Sequence, residues 1–397
     1  MKICMLAEGL PPAFGGAARQ ALMLAEQMRR KGVAIFFVSA QVVPGSPRVD
    51  MLQGFPVYRV PHAESGKRIK LWKVLGYCAL FWRHRREFKI LHVHGPNYLT
   101  LPPGFFARTV LRKKVLRKLT LINYDTPSGI KKGRYGTLAW FLYRQSDAFV
   151  CMSRRLLSEC QEHGLPPSRL YHIPNGVDTQ RFRPPSSVQE RNDLRDKLQI
   201  PRDCRYGIII GAVEKRKGID LLVEVAEKLR SRGQEIRFLV VGPDGAGPGE
   251  DGVDMTYVRT IKERILAKGL RDSVLLLGFR ENTEEYLRAA DFFIFTSRSE
   301  GFGTALIEAM ATGLPVVTLN IPGVTTDIIS HAQDGIIIEQ EEPEAFAEAI
   351  LKFLSEPEYA QTLGASARAT VLAKFDFSIV SQKYSELYRH LLADADV

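Results

Sequence analysis

Two carboxylates sit where neither is easily explained by solvation. In SRSEGFGTALIEAMATGLPVV (residues 297–317), Glu300 opens a glycine-containing turn, Gly301-Phe302-Gly303. Glu308 lies within ALIEAMA, a run that is otherwise apolar at helical spacing. Two glycines let the backbone approach an anion closely. The free N–H groups and dipole of a helix opening near Thr304 then favour phosphate. A carboxylate among Ala, Leu, Ile and Met costs several kcal/mol unless it is paired or accepts good hydrogen bonds. The hydroxyls of a nucleotide ribose would supply two such donors at once. Taken alone, the turn is weak evidence, and a solvated Glu300 with an ion-paired Glu308 explains it as well.

A turn of this kind needs a strand before it and a helix after it, and the chain offers that pattern throughout. KICMLAE (2–8), VAIFFVSA (33–40), KILHVHG (89–95), LTLINYD (119–125) and AFVCMS (148–153) are apolar without alternating, as strands covered on both faces are. Helical segments lie between them, such as AARQALMLAEQMRRKG (17–32), which ends on a basic turn and glycine. HIPNGVDTQRFRPPSSVQE (172–190) is rich in Pro, Gly and Ser and reads as a linker. The rhythm then restarts, with strands at YGIIIGAV, IRFLVVG, VLLLGF, FFIFTS and PVVTLN, and helices between them and to the end.

A chain of 397 residues exceeds one ordinary core. The expectation is therefore an α/β protein of two tandem, doubly wound, Rossmann-like domains, 1–175 and 190–377, with a central cleft between the carboxyl ends of their strands. A last helix, about 378–397, is expected to pack back on the first domain. Five cysteines (4, 78, 151, 160 and 204) show no metal-like spacing and read as buried thiols in a reducing compartment.

The segment EGFGTALIE matches the Glu-x7-Glu signature of retaining glycosyltransferases of the GT-B fold, and its surroundings resemble glycosyltransferase family 4. Gly15-Gly16 before a helix, SDAFVCMS followed by IPNGVDTQRF, RKGID, LLLGF and EAMATGLPVV agree in order, so the resemblance covers nearly the whole chain. It implies a nucleoside-diphosphate sugar donor held mainly by the second domain and an acceptor held mainly by the first. By position, Glu308 would hydrogen-bond the ribose and Glu300 the donor sugar. Phe302, Gly303 and Thr304 would help hold the donor, and Lys217 would grip the diphosphate. Gly15 and Gly16 would receive a donor phosphate or an anionic acceptor.

Two positions depart from the family's pattern. The usual arginine five residues before the lysine is Ala212 here, with Arg216 and Lys215 as substitute cations. The histidine expected after a first-domain strand is replaced by Tyr124, followed by Asp125. His94, at the end of KILHVHG, is another candidate beside Tyr124 and Asp125. The family generally works without a metal, and the one Asp-x-Asp, at 394–396, falls at the end of the chain. No metal and no cofactor are expected.

Charge is divided unevenly. Residues 1–180 carry 28 Lys+Arg against 10 Asp+Glu, and the remaining 217 carry 27 against 34, so +18 and −7 sum to the net +11. Basic clusters fall at 67–73, 82–89, 108–118 and 131–134. RTVLRKKVLRK (108–118), with Phe105 and Phe106 before it, reads at helical spacing as a face for an anionic bilayer. The partners expected are a sugar nucleotide, a glycan or lipid-linked acceptor and an anionic membrane surface. Nucleic acid is not expected, because no recognised motif accompanies the charge.

The N-terminus lacks a secretory h-region and no run of about 18 apolar residues occurs, so a cytoplasmic, peripheral location is expected. A dinucleotide dehydrogenase is excluded by the missing Gly-x-Gly-x-x-Gly after the first strand. The leading expectation is transfer of a hexose or N-acetylhexosamine, from UDP or next from GDP, in polysaccharide or glycolipid synthesis. A non-catalytic sugar-nucleotide binder and a GT-B sugar-nucleotide epimerase stay open as alternatives.

Overall fold

The computed structural model describes residues 2–11, 15–41, 45–61, 67–95, 98–133, 135–245 and 253–393. The chain divides into two units, Met1–Gly176 with Phe377–Val397, and Val177–Asp376.

The first unit runs β1 (Lys2–Ala7), α1 (Gly16–Arg30), β2 (Ala34–Ala40), β3 (Val49–Leu52), β4 (Phe55–Val60), α2 (Lys67–Arg83), β5 (Ile90–His94), α3 (Leu101–Thr109), β6 (Lys114–Leu119), α4 (Pro127–Lys132), α5 (Gly136–Tyr143), β7 (Ala148–Cys151), α6 (Arg154–Glu162) and β8 (Leu170–His172). Its sheet has the order β3-β4-β2-β1-β5-β6-β7-β8, parallel except for β3 against β4. β1 and β5 are almost wholly buried, as strands covered by helices on both faces must be.

The second unit runs α7 (Val188–Lys197), β9 (Arg205–Ile210), α8 (Ile219–Ser231), β10 (Ile236–Val241), α9 (Met255–Ala267), β11 (Val274–Gly278), α10 (Thr283–Ala289), β12 (Phe292–Phe295), α11 (Thr304–Ala311), β13 (Val316–Leu319), α12 (Thr325–Ile328), β14 (Ile336–Ile338), α13 (Pro343–Ser355) and α14 (Pro357–Lys374). The order β11-β10-β9-β12-β13-β14 is the doubly wound arrangement, and it reverses between β9 and β12. The last helix, α15 (Phe377–Ala393), belongs to the first unit. There Val380, Tyr384, Leu387 and Tyr388 share a core with Ile3, Met5 and the apolar face of α1.

Two expectations fail, for one reason. LTLINYD is not a strand and RTVLRKKVLRK is not a helix. α3 stops at Thr109, Arg112 takes a left-handed conformation (φ 54°), and the chain enters β6 at Lys114. β6 pairs with β5 and β7 and ends at Leu119, and Asn123 (φ 65°) then turns the chain back. Ladder pairing on both edges outweighs a local helical pattern of cations. Arg117 and Lys118 are consequently buried in the sheet, where burial pulls Arg117 down to about 10 and Lys118 down to about 7. Arg134 of the fourth cluster, the side chains of 67–69 and the Asp-x-Asp at 394–396 lie outside the described residues.

Candidate active site

The reversal between β9 and β12 brings together the two loops that follow those strands. The β9 loop ends in a single 3-10 turn, Lys215–Lys217, closed by Gly218 (φ 66°). A Cβ at Gly218 would lie 2.2 Å from the Thr296 carbonyl oxygen, so only glycine lets the turn rest against the end of β12. Thr296 Oγ1 donates to the Lys217 carbonyl (2.9 Å) and the Arg298 N–H to the Arg216 carbonyl (2.8 Å). The two loops therefore form one unit.

Glu300 sits at that junction with 8% of its surface exposed. Lys217 Nζ donates to its Oε1 at 2.5 Å, and Arg216 Nη1 lies 3.4 Å from Oε2. Burial alone would raise this carboxyl. The Lys217 and Arg216 charges outweigh it and hold Glu300 below the usual carboxylate range. Gly303 (φ 100°) caps α11. Glu308 is buried in the second turn of that helix among Leu306, Ile307, Ala309 and Met310. Phe302 is buried and packs edge-on against Phe375 (5.7 Å), so what it can offer a ligand is its backbone. Glu300, Lys217, Arg216, Gly301, Phe302, Gly303, Thr304 and Glu308 thus all lie in the loops and the helix that follow the central strands β9 and β12.

Sequence reasoning missed the residues that brace these loops. Arg298 makes paired hydrogen bonds to Asp220 (2.7 and 2.9 Å), donates to Glu341 (2.7 Å) and reaches the Lys215 carbonyl (2.9 Å). Tyr257 OH donates to Asp220 Oδ1 at 2.7 Å. No spacing signals a contact between residues 78 positions apart. The only hint was Asp220 three places after Lys217.

The first-unit candidates do not converge in the same way. Its sheet order reverses between β1 and β5. Gly15 caps α1 there, and Gly95, just after His94, lies near Ala17, with 3.7 Å from a Cβ at Gly95 to that of Ala17. Gly16 has no neighbour within 4 Å of a Cβ among the described residues. His94 is 3% exposed and lies tilted against His92 at 3.8 Å between ring centroids, and neither of its ring nitrogens has a hydrogen-bond partner among the described residues. Burial, then His92 and Lys118, lower its pKa well below the ordinary value, so it is a neutral imidazole.

Asp125 is pushed up to about 6 by burial, and it accepts from Thr120 N and Oγ1 (both 2.7 Å) and Leu121 N (2.9 Å). These bonds make it the anchor of the turn after β6. Tyr124 is 63% exposed on the same turn. The described residues hold no cluster of three or more potential metal ligands among His, Cys, Asp and Glu.

Two doubly wound sheets in tandem, the second with a glycine turn and two buried carboxylates where its strand order reverses, are the arrangement of GT-B proteins. Residues 14–181 match the family described as Glycosyltransferase Family 4, and residues 190–370 match Glycosyl transferases group 1. A D-inositol 3-phosphate glycosyltransferase of Xylanimonas cellulosilytica is 31% identical over 380 residues, covering 89% of this chain and 87% of that protein. A lipopolysaccharide core biosynthesis mannosyltransferase of Rhizobium meliloti is 26% identical over 336 residues, covering 84% and 86%. The chain belongs to glycosyltransferase family 4.

Two solved structures share the fold. Anabaena HepE, in complex with UDP and glucose, has a TM-score of 0.79 at 20% identity and covers 98% of this chain and 99% of its own. Sucrose-phosphate synthase from Thermosynechococcus elongatus has a TM-score of 0.81 at 21% identity, covering 99% of both chains.

Proposed function

We propose that this glycosyltransferase moves a hexose or N-acetylhexosamine from a nucleoside-diphosphate sugar, UDP first and GDP next, with retention and without a metal. The observation that carries the reading is Glu300, held ionised by Lys217 and Arg216 beside the N-terminus of α11. The Glu300 carboxylate pairs with both cations. A diphosphate would exchange for that carboxylate at Lys217 and leave Glu300 to accept from sugar hydroxyls. Glu308 would accept from the ribose.

As the bond from the anomeric carbon to the phosphate oxygen breaks, negative charge grows on the diphosphate. Lys217, Arg216 and the amides that open α11 would stabilise that charge. In a front-face transfer the acceptor oxygen bonds the same face of that carbon and its proton passes to the leaving phosphate. No protein nucleophile is needed, which agrees with first-unit candidates that are buried (His94), engaged in their own turn (Asp125) or largely exposed (Tyr124). Arg216 fills the role of the arginine replaced at Ala212.

The acceptor we assign is a glycan or lipid-linked saccharide of polysaccharide or glycolipid synthesis, reached from the cytoplasmic face of an anionic membrane. One relative, named for lipopolysaccharide core biosynthesis, supports this, whereas the D-inositol 3-phosphate glycosyltransferase is named for a small soluble phosphate. The surface of the first unit supports it too. On α2, Leu71, Trp72, Leu75 and Trp82 are 48–67% exposed at helical spacing, while Tyr77 and Phe81 face the core. Lys70, Arg83 and Arg86 flank the stripe. Leu138 and Phe141 of α5 and Val110 after α3 extend the exposed apolar surface. No described helix is long and apolar enough to cross a membrane.

The test is turnover of a UDP- and GDP-sugar panel in EDTA, with the anomeric configuration of the product read by NMR. Retained configuration without metal is expected. An inverted product, or turnover that requires a divalent ion, contradicts the reading.

A further inference from the structure

The second unit contains a cavity that the transfer reaction does not use. At the sheet end opposite Glu300, the starts of β9, β12 and β13 and the α13–α14 junction enclose a crevice of about 300 Å3. That is the lower end of the range in which proteins hold small organic ligands. Leu354 and Pro357 give it exposed apolar surface with Phe292, Leu314 and Phe353 buried behind them, and Arg191, Arg205 and Asp291 also line it.

The charge beside it is unbalanced. Arg195 is fully committed, through Nε to the Ala289 carbonyl (3.0 Å), Nη1 to the Arg202 carbonyl (2.7 Å) and Nη2 to Asp291 Oδ2 (2.9 Å). The same Oδ2 also accepts the Tyr206 N–H (2.8 Å). Only Oδ1 remains, 3.2 Å from Arg191 Nη1 and 3.7 Å from Arg205 Nη1. One carboxylate thus faces three guanidinium groups, a surplus of two positive charges. The Arg205 side chain makes no hydrogen bond among the described residues and is 63% exposed, which leaves its donors available.

We propose that this crevice binds a small amphiphilic oxyanion, a phosphate or carboxylate on Arg191 and Arg205 whose apolar body lies against Leu354 and Pro357. An inorganic anion would leave the walls bare, and a neutral apolar ligand would leave the two guanidinium groups unmatched. Gly313, just beyond the C-terminus of α11, lines the crevice. The donor residues are at the other end of that helix, so the two ligands occupy separate places. α14 couples to the same point, because a Cβ at Gly364 would lie 2.2 Å from the Gly313 carbonyl oxygen.

The test is calorimetric titration of the full chain with hexyl phosphate, with and without UDP, against inorganic phosphate and hexanol alone. Hexanoate in place of hexyl phosphate shows which oxyanion is preferred. Saturable binding that UDP leaves unchanged is expected, weakened about tenfold or more by Arg205→Glu and by Ala360→Phe, which fills the crevice. Inorganic phosphate and hexanol should each bind more weakly than hexyl phosphate. Arg205→Glu alters an exposed side chain, so it tests the site even if Ala360→Phe fails to fold. No saturable binding of either amphiphile, displacement by UDP, or indifference to Arg205→Glu overturns the proposal.

Discussion

At the scale of single residues, Lys217 and Arg216 keep the buried Glu300 carboxylate charged, and the proposed reaction depends on that charge. Removing the charge at Glu300 while keeping its shape, in Glu300→Gln, is expected to lower kcat by about a hundredfold or more with nucleotide affinity largely kept. Steady-state kinetics beside UDP titration checks this, and wild-type turnover would remove Glu300 from the reaction. A different charge has a pH signature. Lys118 carries a pKa of about 7 because it is buried, so between there and the ordinary lysine value the unfolded chain binds more protons than the folded one. Its burial cost is therefore complete below about pH 7 and fades as pH rises toward 10.5. Lys118→Met should stabilise the fold at pH 7 by on the order of a few kcal/mol, and the gain should shrink by pH 10. Urea denaturation at the two pH values measures it. A gain independent of pH would mean that Lys118 is not buried as a strained cation.

At the scale of elements, the loops after β9 and β12 must touch for Lys217 to meet Glu300. Gly218→Ala places a methyl group against the Thr296 carbonyl at a left-handed position, and it should cost about 1–3 kcal/mol and reduce turnover together. Unchanged stability and kcat would show that the turn does not depend on that approach. The second unit was legible in the sequence here, because strand, glycine turn and apolar helix follow one another locally around Glu300 and Glu308. The first unit was less so. Residues 108–118 carry a helical spacing of cations, yet β5 and β7 claim the segment as a central strand. Pairings across many residues leave no local period, which also explains why Arg298, Asp220, Tyr257 and Glu341 were invisible.

At the scale of the whole molecule, the basic half and the exposed stripe of α2 belong to the same unit. Replacing Trp72 and Trp82 by Ser should weaken binding to vesicles containing anionic lipid several-fold, and raised salt should weaken it further. Co-sedimentation with anionic and neutral vesicles reads this out, and equal binding to both would end the membrane assignment. The central claim concerns the second unit, that the loops after its β9 and β12 form a metal-independent nucleotide site. Calorimetric titration of UDP and GDP in EDTA, into the wild type and Glu308→Ala, tests it most directly. Binding of at least one nucleotide without metal is expected, weakened about tenfold or more in Glu308→Ala. No binding of either nucleotide, or the same affinity in a folded Glu308→Ala variant, would contradict it.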